Sequence, residues 1–506
     1  MKELVRKATE YTELLLADPY RPRYHFAIPG DNGMPGDSNG AFFADGVYHL
    51  MYLYESSVTG GFHWGHMTSR NLLHWRRHKD ALTVSEGDRG CFSGGAFLDE
   101  DGTAYLTFWK FAAVDPEKDR SGIAMAYARP PYEDWTRMEP IAVNATEWGI
   151  LDLVVDGETK HLACADPSNI WKNGEYYYMQ LGNLCVLDKY GRKEDSPEEY
   201  QGGWTELFRS KDLHTWEYVH RFYANTHTGE NDWPDRTEDD MCPSFLPLYD
   251  APEGGKPTGK WLQVFIAHNR GCQYFVGSLK DETFYPEIHG RMSWKDITYF
   301  APEALIDGRG RQILWTWLRD NRDGEFEKYG WSGVYGFPRV LWWEDDELHM
   351  APAEELDRLR YGWLRSTPKE NGPIPVADGT SFRLKAEWDE KITEPTGFRV
   401  RENSAGTEYA EILYDPQKNV LVLDNTRNGA EGWALREEAP FTLKAGEKLR
   451  LDIFVDQSVV EVYANDRQAI CRRIYPADPQ DSAGIRAVGT TAAKVDTWGM
   501  DSANEY

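Results

Sequence analysis

The feature that most constrains this chain is a repeat. Five short runs of aromatic and aliphatic residues recur at 47–54 (VYHLMYLY), 104–111 (AYLTFWKF), 175–182 (EYYYMQLG), 261–268 (WLQVFIAH) and 312–319 (QILWTWLR), with centres about 50–85 residues apart. Each is bounded by polar loop residues and is too short for an independent helix, so each reads as a strand. A second mark follows the first three runs: a Ser- or Arg-bearing strand end, a polar turn, then a tryptophan, ending at Trp75, Trp135 and Trp216. The segment from Gly277 to Phe284 is a weaker fourth copy. β-rich units recurring on this scale predict a five-bladed β-propeller.

The flanks of the repeat are different. Leu4, Ala8, Tyr11 and Leu15 fall on one helical face, which predicts an N-terminal helix within 1–20. The propeller is expected over 21–365. A stretch with three prolines and a glycine, 366–378 (STPKENGPIPVAD), reads as a linker. Short alternating strands return beyond it, at 381–388, 398–402, 409–414, 419–424 and 449–455. The last turns through Asp456-Gln457-Ser458 into 459–463, a hairpin. A β-sandwich over 379–506 is therefore expected, and the predicted fold class is all-β: a propeller followed by a sandwich.

Composition removes several kinds of function. The net charge of −27 argues against a nucleic-acid partner or an anionic membrane surface, because both require a positive footprint. No stretch approaches 18 uncharged apolar residues, so no membrane span is expected. Residues 1–17 carry charge in every turn and lack the apolar run of a signal peptide, so a cytoplasmic location is expected. The six cysteines show no C-x-x-C spacing and read as reduced thiols rather than a metal or disulfide framework. His63 and His66 in HWGH would point to opposite faces of a strand and read as structural. The glycines at 254–259 have the spacing of a phosphate loop, but Trp261 replaces its Ser/Thr and Pro257 interrupts it. No cofactor and no metal are expected. Aromatic residues make up 14% of the chain, which suits both β-sheet cores and the faces of sugar rings; a small carbohydrate is the expected partner.

Three acidic residues sit just before successive repeat strands. Asp37 lies in Gly-Asp-Ser-Asn-Gly, Asp166 in Ala-Asp-Pro-Ser-Asn, and Glu238 in Glu-Asp-Asp-Met-Cys-Pro. Each alone is an ordinary turn former. Together they would converge on the propeller axis, where the innermost strand of each blade begins. Glycoside hydrolysis needs two carboxyls flanking the bond, and a third group to hold sugar hydroxyls serves it well.

These segments resemble glycoside hydrolase family 32, the invertases, inulinases and levanases. Met34 to Gly40 is similar to the family's Trp-Met-Asn-Asp-Pro-Asn-Gly, Tyr48 to Tyr52 to its first strand, and His63 to Ser69 with Leu73-His74-Trp75 to the segment that follows. Phe92-Ser93-Gly94 matches its Phe-Ser-Gly, and Asp166-Pro167 its Arg-Asp-Pro. Trp331 to Arg339 resembles the end of its propeller, and Ile453 to Tyr463 its sandwich hairpin. The departures surround the sugar pocket: Gly36 and Ser38 replace the Asn and Pro of the opening motif, Leu53 a Gln, and Ala165 an Arg. Met241 stands before Cys242 where the family has its acidic Glu.

The resemblance implies a retaining β-fructosidase. Asp37 would attack the anomeric carbon of a terminal fructosyl unit, Glu238 (or Asp240 in its place) would be the acid and base, and Asp166 would hold ring hydroxyls. Trp64 and Phe92 would supply apolar walls, and Asn39 and Ser93 polar contacts. Fructosyl transfer or difructose-anhydride chemistry on the same scaffold, an inverting glycosidase, and a non-catalytic sugar-binding propeller are the alternatives.

Overall fold

A computed structural model of the chain describes residues 2–28, 35–56, 58–84, 88–112, 121–155, 157–224, 233–320, 322, 329, 331, 333–429 and 432–504. After a helix at Lys2–Ala17, whose Leu15 is buried, nearly everything is antiparallel sheet.

The propeller has five blades. The first is Pro35–Ala44, Val47–Glu55, Phe62–Ser69 and Arg76–Arg77. In the second, Asp88–Cys91 and Ala96–Leu98 share the inner edge of Ala104–Ala112, and Gly122–Ala128 follows. A single parallel bridge between Phe62 and Gly90 ties these two blades into one ten-stranded sheet. The third runs Ala165–Pro167, Tyr176–Gly182, Trp204–Ser210 and Glu217–Ala224, the fourth Met241–Tyr249, Pro257–Ala267, Gly271–Lys280 and Thr283–Arg291, and the fifth Tyr299–Ile306, Gln312–Leu318, Arg339–Glu344 and Glu347–Pro352.

All five runs that stood out in the sequence are second strands of blades. Such a strand has a neighbour on each edge and another blade against each face, so both faces are apolar and the run is continuous rather than alternating. Gln312–Leu318 is buried at every position. The recurring turn-plus-tryptophan also has a physical basis. In the first blade Asn71 Oδ1 accepts from Leu73 N and His74 N, and Leu72 adopts a left-handed φ of 62°. In the third, Asp212 Oδ1 accepts from His214 N and Thr215 N, and Leu213 has φ 63°. The same side-chain-stabilised turn closes the same hairpin in both blades.

Beyond the propeller, a six-stranded and a five-stranded sheet enclose a second apolar core that includes Phe382, Phe398, Ile412, Ile453 and Val495. Strand Arg360–Ser366 pairs with Lys494–Met500, so the chain joins the sandwich sheet before the proline-rich stretch. The hairpin Arg450–Asp456/Val459–Ala464 turns at Gln457 with φ 55°. Its two acidic residues reach the rest of the molecule. Asp456 accepts from the backbone N–H groups of Arg23, Tyr24 and His25 at 2.7–2.8 Å. Glu461 accepts from Phe337 N at 2.9 Å and pairs with Arg339 at 3.4 Å.

Candidate active site

Three inner strands bring polar groups to one end of the propeller axis. Asp37 lies on Pro35–Ala44, where the pairing with Val47–Glu55 slips between Pro35 and Ser38 and again between Asn39 and Phe42. Bulges of this kind re-aim a side chain out of the regular alternation. The strand is pinned on both sides of Asp37: Tyr335 Oη donates to Gly36 O at 2.7 Å, and Ser38 Oγ donates to Ala301 O at 2.7 Å. Asp166 and Cys242 occupy similar slips, between Ala165 and Pro167 and between Met241 and Ser244. Both have left-handed backbone, φ 29° and 49°, which a side-chain-bearing residue adopts only when its surroundings enforce it. The second blade contributes Phe92-Ser93-Gly94-Gly95. A Cβ at Gly95 would fall 2.2 Å from Asn169 N, so only glycine lets the second and third blades approach this closely.

These strands assemble a compact cluster. Ser93 Oγ donates to Asp37 Oδ2 at 2.5 Å. Cys242 Sγ lies 3.4 Å from Asp166 Oδ2 and 3.8 Å from Asp37 Oδ2, bridging the two carboxylates. Burial pushes the Asp37 carboxyl above its ordinary range, against the hydrogen bond from Ser93 and the positive charge of His268. Burial and the neighbouring Asp37 charge push Asp166 up to about 7. Two buried carboxyls this close do not ionise together freely, so the pair titrates as a unit. Burial and the two carboxylates hold the Cys242 thiol well above its ordinary value, which keeps it a neutral donor.

His268 follows the second strand of the fourth blade. Its backbone N and its Nδ1 lie 3.1 and 2.8 Å from the two carboxylate oxygens of Asp239, which is fully buried. Burial works to lower the pKa of the imidazole. The hydrogen bond and charge of Asp239, with the charges of Asp166 and Asp37, outweigh it and raise the pKa above its usual value.

The cluster opens into a cavity of about 510 Å³, in the range of small-ligand sites. Asp37, Ser93, Asp166 and His268 supply its polar surface; Phe92, Trp109, Trp148, Ile150, Leu184, Cys185 and Met241 supply apolar walls; Glu147, Asp188 and Lys189 complete it. Trp109 and Trp148 lie with ring centroids 4.3 Å apart and planes 39° from parallel, Trp109 buried and Trp148 exposed. An indole pair beside carboxylates is a surface on which a sugar ring can lie with its hydroxyls turned toward the acids.

Of the residues singled out from sequence, Asp37, Asp166, Phe92 and Ser93 line this cavity. Asn39 stands behind them: its Nδ2 donates to Asp37 O at 3.2 Å and its Oδ1 accepts from Gly94 N at 3.2 Å. Trp64 is fully buried beneath Phe92 and donates from Nε1 to Phe92 O at 3.2 Å, so it supports the wall rather than forming it. Glu238 is not brought to the cavity. Both its oxygens are held by Arg291 at 2.9 Å, and Gln273 Nε2 and Asp235 N add bonds at 2.7 and 3.1 Å. Asp240 is buried away from it as well, hydrogen-bonded by Tyr223 and by Gln263 at 3.3 Å.

Sequence reasoning missed His268, Cys242, Trp109, Trp148 and the wall role of Met241. The histidine had one visible signal, as the polar residue that ends the mainly apolar strand run at 261–268. The tryptophans had none that separated them from core aromatics.

A five-bladed propeller with acidic groups around one axial cavity, followed by a sandwich, is the architecture of a carbohydrate-cleaving hydrolase. Comparison with known proteins makes this specific. The glycosyl hydrolases family 32 N-terminal domain matches residues 25–352 and the family's C-terminal domain matches residues 355–499. The chain belongs to glycosyl hydrolase family 32. Among curated relatives, a sucrose-6-phosphate hydrolase of Zymomonas mobilis is 27% identical over 91% of this chain and 88% of its own length. A levanase of Bacillus subtilis is 26% identical over 91% of this chain and 67% of its own. Among solved structures, fructan 1-exohydrolase IIa from Cichorium intybus superposes with a TM-score of 0.78 at 18% identity, covering 96% of this chain and 98% of that one. The sucrose-6-phosphate hydrolase of Lactobacillus gasseri has a TM-score of 0.78 at 19% identity, covering 99% and 97%.

Proposed function

We propose that this protein is a retaining glycoside hydrolase that releases terminal β-fructofuranosyl units from sucrose-type oligosaccharides or fructans. The observation that carries the reading is the Asp37–Asp166 pair facing one aromatic-walled cavity. Asp37, oriented by Ser93, attacks the anomeric carbon. Asp166 accepts hydrogen bonds from ring hydroxyls, and its charge stabilises the oxocarbenium-like transition state. The neutral Cys242 thiol lies between them and shares its single S–H with their oxygens, nearer to Asp166. Phe92, Trp109 and Trp148 cover the sugar's apolar face. The relatives named as sucrose-6-phosphate hydrolase and levanase support a fructosyl substrate. The buried thiols of Cys164, Cys185, Cys242, Cys272 and Cys471, none of them in a disulfide, support a reducing, cytoplasmic setting.

The test is incubation with sucrose, inulin, levan and difructose compounds, with products read by chromatography. Free fructose is expected, and Asp37→Ala is expected to abolish it while keeping the wild-type melting curve. No fructose from any of these substrates would overturn the reading; products longer than the substrate would favour transfer over hydrolysis.

A further inference from the structure

A retaining glycosidase needs a group that protonates the leaving oxygen and later deprotonates water, and Glu238 is held outside the cavity lining by Arg291. Among the described residues, the charge-bearing side chains lining the cavity are Asp37, Glu147, Asp166, Asp188, Lys189 and His268. Asp37 and Asp166 are engaged as nucleophile and hydroxyl acceptor. Glu147 is ion-paired with Lys189, and Asp188 is paired with Arg192 at 2.7 Å, so each of these acids already has a cationic partner.

His268 differs in three ways. It shares the cavity with both site carboxylates and feels the charge of each. It is fixed by two hydrogen bonds to one buried carboxylate. An ionised Asp239 can only accept, so Nδ1 carries a hydrogen, and among the described residues no hydrogen bond uses Nε2. The ring is thus oriented, with its free nitrogen available to exchange a proton.

We propose that His268, oriented by Asp239, is the general acid and base of this site, a role that rests on the fructosyl-releasing reading above. In the first half-reaction Asp37 forms a bond to the anomeric carbon. The glycosidic C–O bond breaks, its electron pair stays on the leaving oxygen, and that oxygen takes the proton from Nε2, leaving a neutral imidazole. In the second, Nε2 takes a proton from water, the water oxygen bonds to the anomeric carbon, and the bond to Asp37 breaks to restore its carboxylate. Met241, which lines the cavity immediately before Cys242, supplies apolar surface and no proton. The groups around His268 set its charge: Asp239 behind it, with Arg192 3.8 Å from that carboxylate, Asp37 and Asp166 across the cavity, and the Phe300 ring edge-on at 5.8 Å. Arg319, stacked on Phe300, adds a cation whose charge reaches Asp37.

The experiment compares His268→Ala, His268→Gln and Asp239→Asn on two substrates: sucrose, whose leaving alcohol needs a proton, and 4-nitrophenyl β-fructofuranoside, whose phenolate does not. Loss of roughly 10²–10⁴-fold in kcat/KM is expected on sucrose, with a far smaller loss on the aryl substrate. Azide should restore turnover of the His268→Ala protein and yield β-fructosyl azide, an outcome a purely structural histidine would not give. Asp239→Asn should move the alkaline limb of the pH profile to lower pH. Equal losses on both substrates without azide rescue, in variants with wild-type melting curves, overturn the assignment and leave the fructosidase reading standing. Azide rescue in Glu147→Gln or Asp188→Asn, but not in His268→Ala, does the same. A wild-type protein that cleaves neither substrate overturns both readings.

Discussion

Asp166 sits on strained backbone with its carboxyl buried beside that of Asp37, and its pKa near 7 makes it a net burden on the folded state. In the unfolded chain the group ionises near pH 4. Between those values the native protein binds the proton and the unfolded chain does not. Stability therefore falls as pH rises from about 4 through about 7, the reverse of a salt-bridged carboxylate. Asp166→Asn should raise the melting temperature at pH 8 by the equivalent of a few kcal/mol and have little effect at pH 4, while removing catalysis; scanning calorimetry at both pH values checks this. A second consequence concerns rate. The acid limb follows ionisation of the Asp37–Asp166 pair, both raised above the ordinary carboxylate range, and the alkaline limb follows loss of the His268 proton, also raised. A bell-shaped kcat/KM profile around neutrality is expected, and a profile still rising above pH 9 would contradict the role given to His268. At this scale Asp37, Asp166 and Ser93 were legible because each stands in a motif. The run Glu238-Asp239-Asp240 was not. Its three side chains go to Arg291 and Tyr223, on strands of two different blades, and to His268, in a turn, and adjacency in sequence carries no information about that divergence.

Glu238 is better understood as part of an element. It lies just before the inner strand Met241–Tyr249, and its partners Gln273 and Arg291 belong to the third and fourth strands of the same blade. The ion pair therefore ties the turn leading into the blade to its outer edge. Removing one member of a buried pair strands the other charge at a cost of about 3–5 kcal/mol. Arg291→Met should lower the denaturation midpoint by that equivalent, and Glu238→Gln by less, because the amide keeps hydrogen bonds to the guanidinium; urea titration followed by tryptophan fluorescence measures both. The second strands of the blades were readable because burial on two faces makes a continuous apolar run. The inner strands that carry the site were not. Ala165–Pro167 is three residues long, Met241–Tyr249 contains two prolines, and the slips in pairing break the alternation a strand is recognised by.

Over the whole molecule, the ring closes without a strand shared between its first and last blades among the described residues. Polar side chains hold that seam. Glu303 of the fifth blade accepts from Ala41 N of the first at 2.8 Å and from Ser244 of the fourth at 3.1 Å. The sandwich then acts as a clasp. Asp456 holds the segment leading into the first blade, and Glu461 holds Phe337 and Arg339 at the fifth. Glu461→Ala leaves a buried arginine and a backbone N–H without their acceptor, and a loss of about 3–5 kcal/mol is expected. Because the clasp joins both units, calorimetry of the wild-type protein should show one cooperative transition; two well-separated transitions would contradict this coupling. The hairpin around Asp456-Gln457-Ser458 was visible in the sequence. Its docking role was not, since the partners of Asp456 lie more than 400 residues away along the chain. Every described residue lining the cavity falls between Asp37 and His268, so the sandwich stabilises the site without entering it.

The indole pair at the cavity carries a spectroscopic consequence. Two chromophores with centroids 4.3 Å apart and planes inclined by 39° share their excited states, and the skewed transition dipoles give a circular-dichroism couplet of opposite-signed bands. A sugar ring laid against the exposed Trp148 changes the coupling while the backbone signal stays the same. The protein thus carries an intrinsic optical reporter of occupancy in the same cavity as its carboxylate pair, readable without label and without turnover.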